Sequence, residues 1–146
     1  MPDDPDGADL TLVIPGDALA VRQALQAMVA ALTSRGLPPD DRGTAEIVLA
    51  EVLNNIVEHA YAGRQGVINV TIRLDAAALE CRVVDDGQPM PGDAMPPGDP
   101  PPVPPEGEPA EGGFGWFLIR SLSQDLTYRR ADGRNLLSFR LATSAA

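Results

Sequence analysis

Glu51-Val52-Leu53-Asn54-Asn55-Ile56-Val57-Glu58-His59-Ala60 governs how the rest of the chain is read, because it sets carboxylates, a carboxamide and an imidazole beside an apolar stripe. At about 100° per residue, Glu51, Asn55, Glu58 and His59 fall within about one third of a helix circumference. Leu49, Val52, Leu53, Ile56 and Ala60 form the adjoining stripe. The apolar stripe suits a core. The polar one is either a solvated face or a site, and two later segments bear on the choice.

Upstream, Leu10, Val13 and Ile14 predict a short strand ending at Pro15-Gly16. Asp17 is a fair N-cap for a helix carrying Val21, Leu25, Met28, Val29 and Leu32 on one face. Gly36-Leu37-Pro38-Pro39 breaks the chain, Asp40 or Asp41 can cap the second helix, and Gly63 offers its stop. Residues 1–8 are expected to be a disordered acidic lead, and 9–146 a single domain.

Downstream, Val67 to Leu74 alternates cleanly, with Ile68, Val70, Ile72 and Leu74 on one face and Asn69, Thr71 and Arg73 on the other. Leu79, Cys81 and Val83 repeat the pattern against Glu80 and Arg82, so the two runs are expected to pair as a hairpin. Continuing the apolar parity turns Asp85 inward and Asp86 outward, just where the strand ends at Gly87. A buried acid without a partner or a task is costly. Leu126 and Tyr128, then Leu137, Phe139 and Leu141, predict two more strands joined by a turn at Asp132-Gly133.

Residues 88–112 are a different material, with ten of the chain's 15 prolines, five acids and no base. A loop this long is a functional lid or an inconsequential insertion. Gly112-Gly113-Phe114-Gly115 then opens the apolar run Trp116-Phe117-Leu118-Ile119-Arg120-Ser121-Leu122, read as a third helix. Free N–H groups and the dipole at such a helix start favour an anion, although hinge flexibility explains the glycines equally well.

The formal net charge of −10 argues against a nucleic-acid partner, which needs clustered cations to replace counterions. All 11 basic residues are arginine, so a cation asked to hold phosphate must be an arginine or a metal. No apolar run approaches the roughly 20 residues of a membrane span. The acidic start is unlike a signal peptide, so a cytoplasmic location is expected. The lone Cys81 is expected to be a small buried apolar residue.

In order and spacing, Glu51-Val-Leu-Asn-Asn55-Ile-Val-Glu-His59-Ala-Tyr61, Asp85-Asp-Gly87-Gln-Pro89, Gly112-Gly113-Phe-Gly115-Trp-Phe-Leu-Ile119 and Gly133-Arg-Asn135 resemble the motifs of the histidine-kinase-like ATPase superfamily. Within it the chain is most similar to the small bacterial anti-sigma factor serine/threonine kinases, over roughly residues 9–141. The resemblance implies an α+β fold of the Bergerat type: a two-layer α/β sandwich with a mixed, mainly antiparallel sheet and three helices on one face, the ATP lid at 88–112. It also implies ATP and Mg²⁺ as cofactors, a sigma factor and an anti-anti-sigma (STAS) protein as partners, and a homodimer.

Carried onto this chain, the resemblance makes Glu51 the general base on the attacking hydroxyl and Asn55 the Mg²⁺ ligand. Asp85 is assigned to the adenine amino group, Gly87 to close approach of the base, and Gly113 and Gly115 to the border of the phosphates. Unit charges about 5 Å apart at an effective dielectric near 20 repel by about 3 kcal/mol, so Glu51 beside a triphosphate calls for the metal. His59 and Tyr61 fit the family pattern as structural residues, and Ser138 is a weaker candidate near the base.

One feature departs from the family. Relatives commonly bring a basic residue from the lid against the terminal phosphates, whereas here only Arg64 and Arg120 lie nearby in sequence. Two functions therefore stand: a kinase that sequesters a sigma factor, or a nucleotide-responsive binding module that transfers no phosphate.

Overall fold

The computed structural model describes residues 9–75, 77–97 and 114–143. The expected lead at 1–8, most of the lid (98–112) and Gly113 lie outside the described residues. The element order is β1 (Leu10–Pro15), α1 (Ala18–Ser34), α2 (Pro39–Asn55), a π-helical turn (Ile56–Tyr61), β2 (Val67–Leu74), β3 (Ala78–Asp85), a 3₁₀ turn (Pro91–Asp93), α3 (Phe114–Leu122), β4 (Gln124–Ala131) and β5 (Arg134–Ala142).

The strands form one five-stranded sheet in the order β1-β2-β3-β5-β4, and each neighbouring pair is antiparallel. Both expected hairpins are present, with Ile72 opposite Cys81 in β2–β3 and Tyr128 opposite Leu137 in β4–β5. Alternation then decides the layers. Ile68, Val70, Ile72, Leu79, Cys81, Val83, Leu137, Phe139 and Leu141 are buried and join Val21, Met28, Leu32, Val48, Leu49, Val52, Leu53 and Ile119 of the helices in one core. Full burial of such side chains contributes roughly 1.5–3 kcal/mol each, which holds the helical layer on one face of the sheet. This is the expected α+β sandwich. Among the described residues no helix is long and apolar enough to cross a membrane.

The helix starts differ in how they are capped. The Asp17 carboxylate accepts from the Ala20 N–H at 2.8 Å, as its position predicts. At α2 the expectation of an aspartate cap is corrected: Pro38 is the N-cap, without a side-chain hydrogen bond. Asp40 and Asp41 sit inside the first turn instead, where negative charge complements the helix dipole. Pro39 suits the first helical position, because its missing N–H has no partner there in any case.

The second helix also ends differently. Beyond Asn55 it widens into a π turn, closed by the Ala62 N–H donating to the Val57 carbonyl five residues back. The wider turn leaves Ile56 and Tyr61, five apart, both buried. The left-handed residue that stops it is Ala62 (φ 36°), followed by Gly63 (φ 85°).

Candidate nucleotide site

A cavity of about 560 Å³ opens between the helical layer and the C-terminal end of β3, within the size range of small-molecule clefts. Asp85, Asn135, Leu137 and Tyr128 line it from the sheet, and Val52, Asn55, Ile56, Glu58, His59 and Ala60 from α2 and the π turn. Gln88 to Pro91 and Pro96 of the lid root, with Gly115 and Trp116 of α3, complete the wall.

Asp85 is inward, as parity requires, and only 4% exposed. Its Oδ1 accepts from the Gly87 N–H at 2.9 Å and from Asn135 Nδ2 at 2.8 Å. Among the described residues its Oδ2 accepts no hydrogen bond. Burial pushes the carboxyl above its ordinary range, opposed by Asn135, the Gly87 N–H and the Arg130 charge. The result is a desolvated acceptor in the cavity wall.

Asn55, the last residue of α2, is half-buried, and its Nδ2 is buried without a hydrogen-bond partner. A half-turn of the amide presents Oδ1 at the same point. An unpartnered amide there fits a hard cation that takes one oxygen from the protein and the rest from water and phosphate, the usual habit of Mg²⁺. Among the described residues no group of three or more His, Cys, Asp or Glu could hold a metal unaided.

Glu51 stands one turn before Asn55, and its carboxylate has no hydrogen-bond or ion-pair partner among the described residues. Both side chains face the start of α3. A Cβ built on Gly115 would lie 2.8 Å from Glu51 Oε2 and 3.5 Å from Asn55 Nδ2, so only glycine leaves that space open. Tertiary packing thus gathers Glu51, Asn55 and Gly115; Asn55, Gly115 and Asp85 line the cavity, and Glu51 lies outside its lining, against Gly115. Gly87 does not line the cavity. A Cβ on Gly87 would meet the Ala60 carbonyl oxygen at 2.5 Å, so that glycine lets the end of β3 pack against the π turn. The Gln88 N–H donates to the same carbonyl at 2.8 Å.

Tyr61 has the structural place expected of it. Its hydroxyl lies 2.5 Å from the Val67 carbonyl oxygen and 2.8 Å from Asp86 Oδ1, sharing one hydrogen between two acceptors. Burial first, then the Asp86 carboxylate, push it up to about 12. His59, by contrast, is 75% exposed at its side chain and lines the cavity beside Glu58. Ser138 is opposite Arg82 in the register, on the sheet face away from the cavity.

Neither sequence-adjacent arginine reaches the cavity wall. Arg120 Nε donates to the Pro96 carbonyl at 2.9 Å and straps the lid root to α3, while Arg64 follows the π turn outside the lining. The arginine beside the site is Arg130, with its NH1 2.6 Å from the Gly87 carbonyl oxygen. Sequence reasoning gave Arg130 and Tyr128 no place in the site, and quoted Asn135 only as the end of the Gly133-Arg-Asn135 motif, without a role. For Asn135 a signal existed, since it extends the inward parity of Leu137, Phe139 and Leu141 by one step.

The model of the histidine kinase-like ATPase domain matches residues 14–141. The serine/threonine-protein kinase BtrW of Bordetella bronchiseptica is 32% identical over 99 residues, 66% of this chain and 68% of that protein. The crystal structure of the RsbU and RsbW domains of Rv1364c from Mycobacterium tuberculosis superimposes with a TM-score of 0.61 at 17% identity, covering 93% of this chain. The chain spans 33% of that longer one, and the likeness speaks for the fold. With its sandwich, its cavity and the ordered motifs around it, the chain belongs to the histidine kinase-like ATPase domain family and is related within it to the anti-sigma factor serine/threonine kinases.

Proposed function

We propose that the protein is a cytoplasmic anti-sigma regulatory factor: an ATP- and Mg²⁺-dependent serine/threonine kinase that phosphorylates an anti-anti-sigma (STAS) partner and, as a homodimer, sequesters a sigma factor. The observation that carries this reading is that Asn55, with its orphaned Nδ2, and Gly115 line one cavity with the buried Asp85, while the Glu51 carboxylate, without a partner among the described residues, reaches the same side of Gly115 as Asn55.

Each residue has a task there. Asp85 Oδ2 accepts a hydrogen bond from the amino group of adenine and repels the carbonyl that guanine offers in its place. Asn55 holds Mg²⁺, which when bound offsets the charge of the phosphates. Gly115 leaves room for them beside the first N–H groups of α3. Glu51 removes the proton from a serine or threonine hydroxyl of the partner as that oxygen bonds to the γ-phosphorus. The bond from that phosphorus to the bridging oxygen breaks, and ADP leaves.

One observation favours a second reading, a nucleotide-responsive binding module without transfer: of the described residues lining the cavity, His59 alone can carry positive charge. The deciding experiment incubates the protein with Mg-ATP and its cognate STAS domain and looks for phosphoserine or phosphothreonine by mass spectrometry. Phosphorylation supports the kinase. ATP binding with no transfer supports the module, and no calorimetric heat with any purine nucleotide overturns both.

A further inference from the structure

The proposed chemistry leaves three side chains of β4 and β5 without a task. Asn135 is 5% exposed, and its amide is bonded on both sides. Its Oδ1 receives the Tyr128 hydroxyl at 2.6 Å and Arg130 NH1 at 3.1 Å. Its Nδ2 donates to Asp85 Oδ1 and to the Gln88 carbonyl, each at 2.8 Å. A reversed amide would set N–H groups against the donors of Tyr128 and Arg130 and aim a carbonyl at a carboxylate. The two β4 side chains therefore fix which way the amide faces.

The same pair also holds the start of the lid. Arg130 donates to the Gly87 carbonyl at 2.6 Å, and the Tyr128 oxygen accepts from the Met90 N–H at 3.1 Å. Asp85 Oδ1 is saturated by the Gly87 N–H and Asn135, which leaves Oδ2 as the acceptor for a ligand. The charged and titratable groups around Asp85 are Arg130, Asp86 and Tyr61, with Glu58, His59 and Tyr128 lining the same cavity.

We propose that Tyr128 and Arg130 are positioning residues that act through Asn135, Arg130 also by its own charge, to keep Asp85 an ionised acceptor, and so make the site prefer a purine with a 6-amino group over one with a 6-carbonyl. The inference rests on the nucleotide reading and deepens it. With Asn135 fixed as donor, its hydrogen bond supports the carboxylate against the push of burial, and a carboxylate repels a 6-carbonyl. Without that donor Asp85 protonates more readily, and its O–H bonds to a 6-carbonyl.

The test compares wild type with Tyr128→Phe, Arg130→Met and the double variant by Mg²⁺-saturated calorimetry against ATP and inosine triphosphate. In parallel, carboxyl ¹³C NMR follows the titration of Asp85 in the ligand-free protein. In the double variant the preference for ATP falls by about tenfold, the worth of one hydrogen bond to a charged group. The Asp85 midpoint moves upward, each single variant giving part of both effects, and Arg130→Lys recovers part of what Arg130→Met loses. Variants that only melt earlier, with preference and midpoint unchanged, overturn the inference. If wild type binds neither nucleotide, the nucleotide reading fails. The relay is then judged on the ligand-free titration, where an unmoved midpoint sinks it too.

Discussion

The Glu51 carboxylate and Gly115 face each other so closely that a single added carbon would touch: a Cβ on Gly115 would sit 2.8 Å from Glu51 Oε2. Residues 64 positions apart in sequence thereby meet where, under the proposed kinase function, a phosphoryl group would pass from one oxygen to another.

Gly115→Ala tests that relationship. The atom that must yield is the far end of a flexible side chain, so the fold persists. Alanine in a helix is favoured over glycine by about 1 kcal/mol, so the melting temperature holds or rises. Transfer to the STAS partner falls by about 10²-fold or more, the scale of a misplaced general base. Glu51→Gln gives the same loss with ATP affinity largely retained. Equal transfer rates in wild type and both variants would remove Glu51 from the reaction.

Asn55→Ala separates the metal from the nucleotide. Chelating Mg²⁺ weakens ATP binding to wild type, and the variant binds Mg-ATP about as weakly as wild type binds metal-free ATP, by calorimetry. Metal-free affinity stays the same. A variant that keeps the full Mg²⁺ dependence shows that another group holds the ion.

Asp85→Asn sets binding against stability. Burial raises the folded-state carboxyl above its ordinary 3.8, so the folded form loses stability as pH climbs through that raised value and keeps it below 3.8. The asparagine variant therefore melts higher than wild type near neutral pH, and the gap closes as pH falls towards 3.8. ATP binding weakens by about 1–3 kcal/mol, since the charged acceptor is gone. Melting curves across pH and a calorimetric titration check the two halves independently.

Tyr61→Phe reports on the join between the π turn and β3. At neutral pH, losing a buried hydroxyl that serves Val67 and Asp86 costs about 1–3 kcal/mol. The ordinary tyrosine value is 10.0 and the folded one about 12, so this stabilisation is complete below pH 10 and is lost on rising through 12. Two units correspond to about 3 kcal/mol. Buried Cys81, raised from 9.0 to about 12, adds an alkaline loss of its own that persists in the variant. Urea unfolding from pH 8 to 12 shows a smaller decline for Tyr61→Phe than for wild type.

Much of this molecule was legible before any coordinates. The alternation over Val67–Leu74 placed β2 at the residues it occupies, and its parity with Leu79, Cys81 and Val83 turned Asp85 inward. The order of the motifs pointed to the family. These signals are local or periodic, because a strand repeats every two residues and a helix at about 100° per residue wherever the chain goes. A single helical period, however, could not reveal the widening at Ile56–Tyr61, which depends on Tyr61 finding Val67 and Asp86 across the turn.

The sequence by itself determined the strands, the three helices, the inward carboxylate and the polar stripe beginning at Glu51. Only the tertiary structure decided that β5 inserts between β3 and β4, which brings Asn135 opposite Asp85 and puts Tyr128 and Arg130 behind it. It alone decided that Arg120 straps the lid root while Arg130 stands beside the Asp85 end of the cavity. The physical reason is range. Hydrophobic periodicity is written within a segment, but a buried polar group takes whichever partner the packed layers bring within about 3 Å, and that choice exists only once the layers have closed.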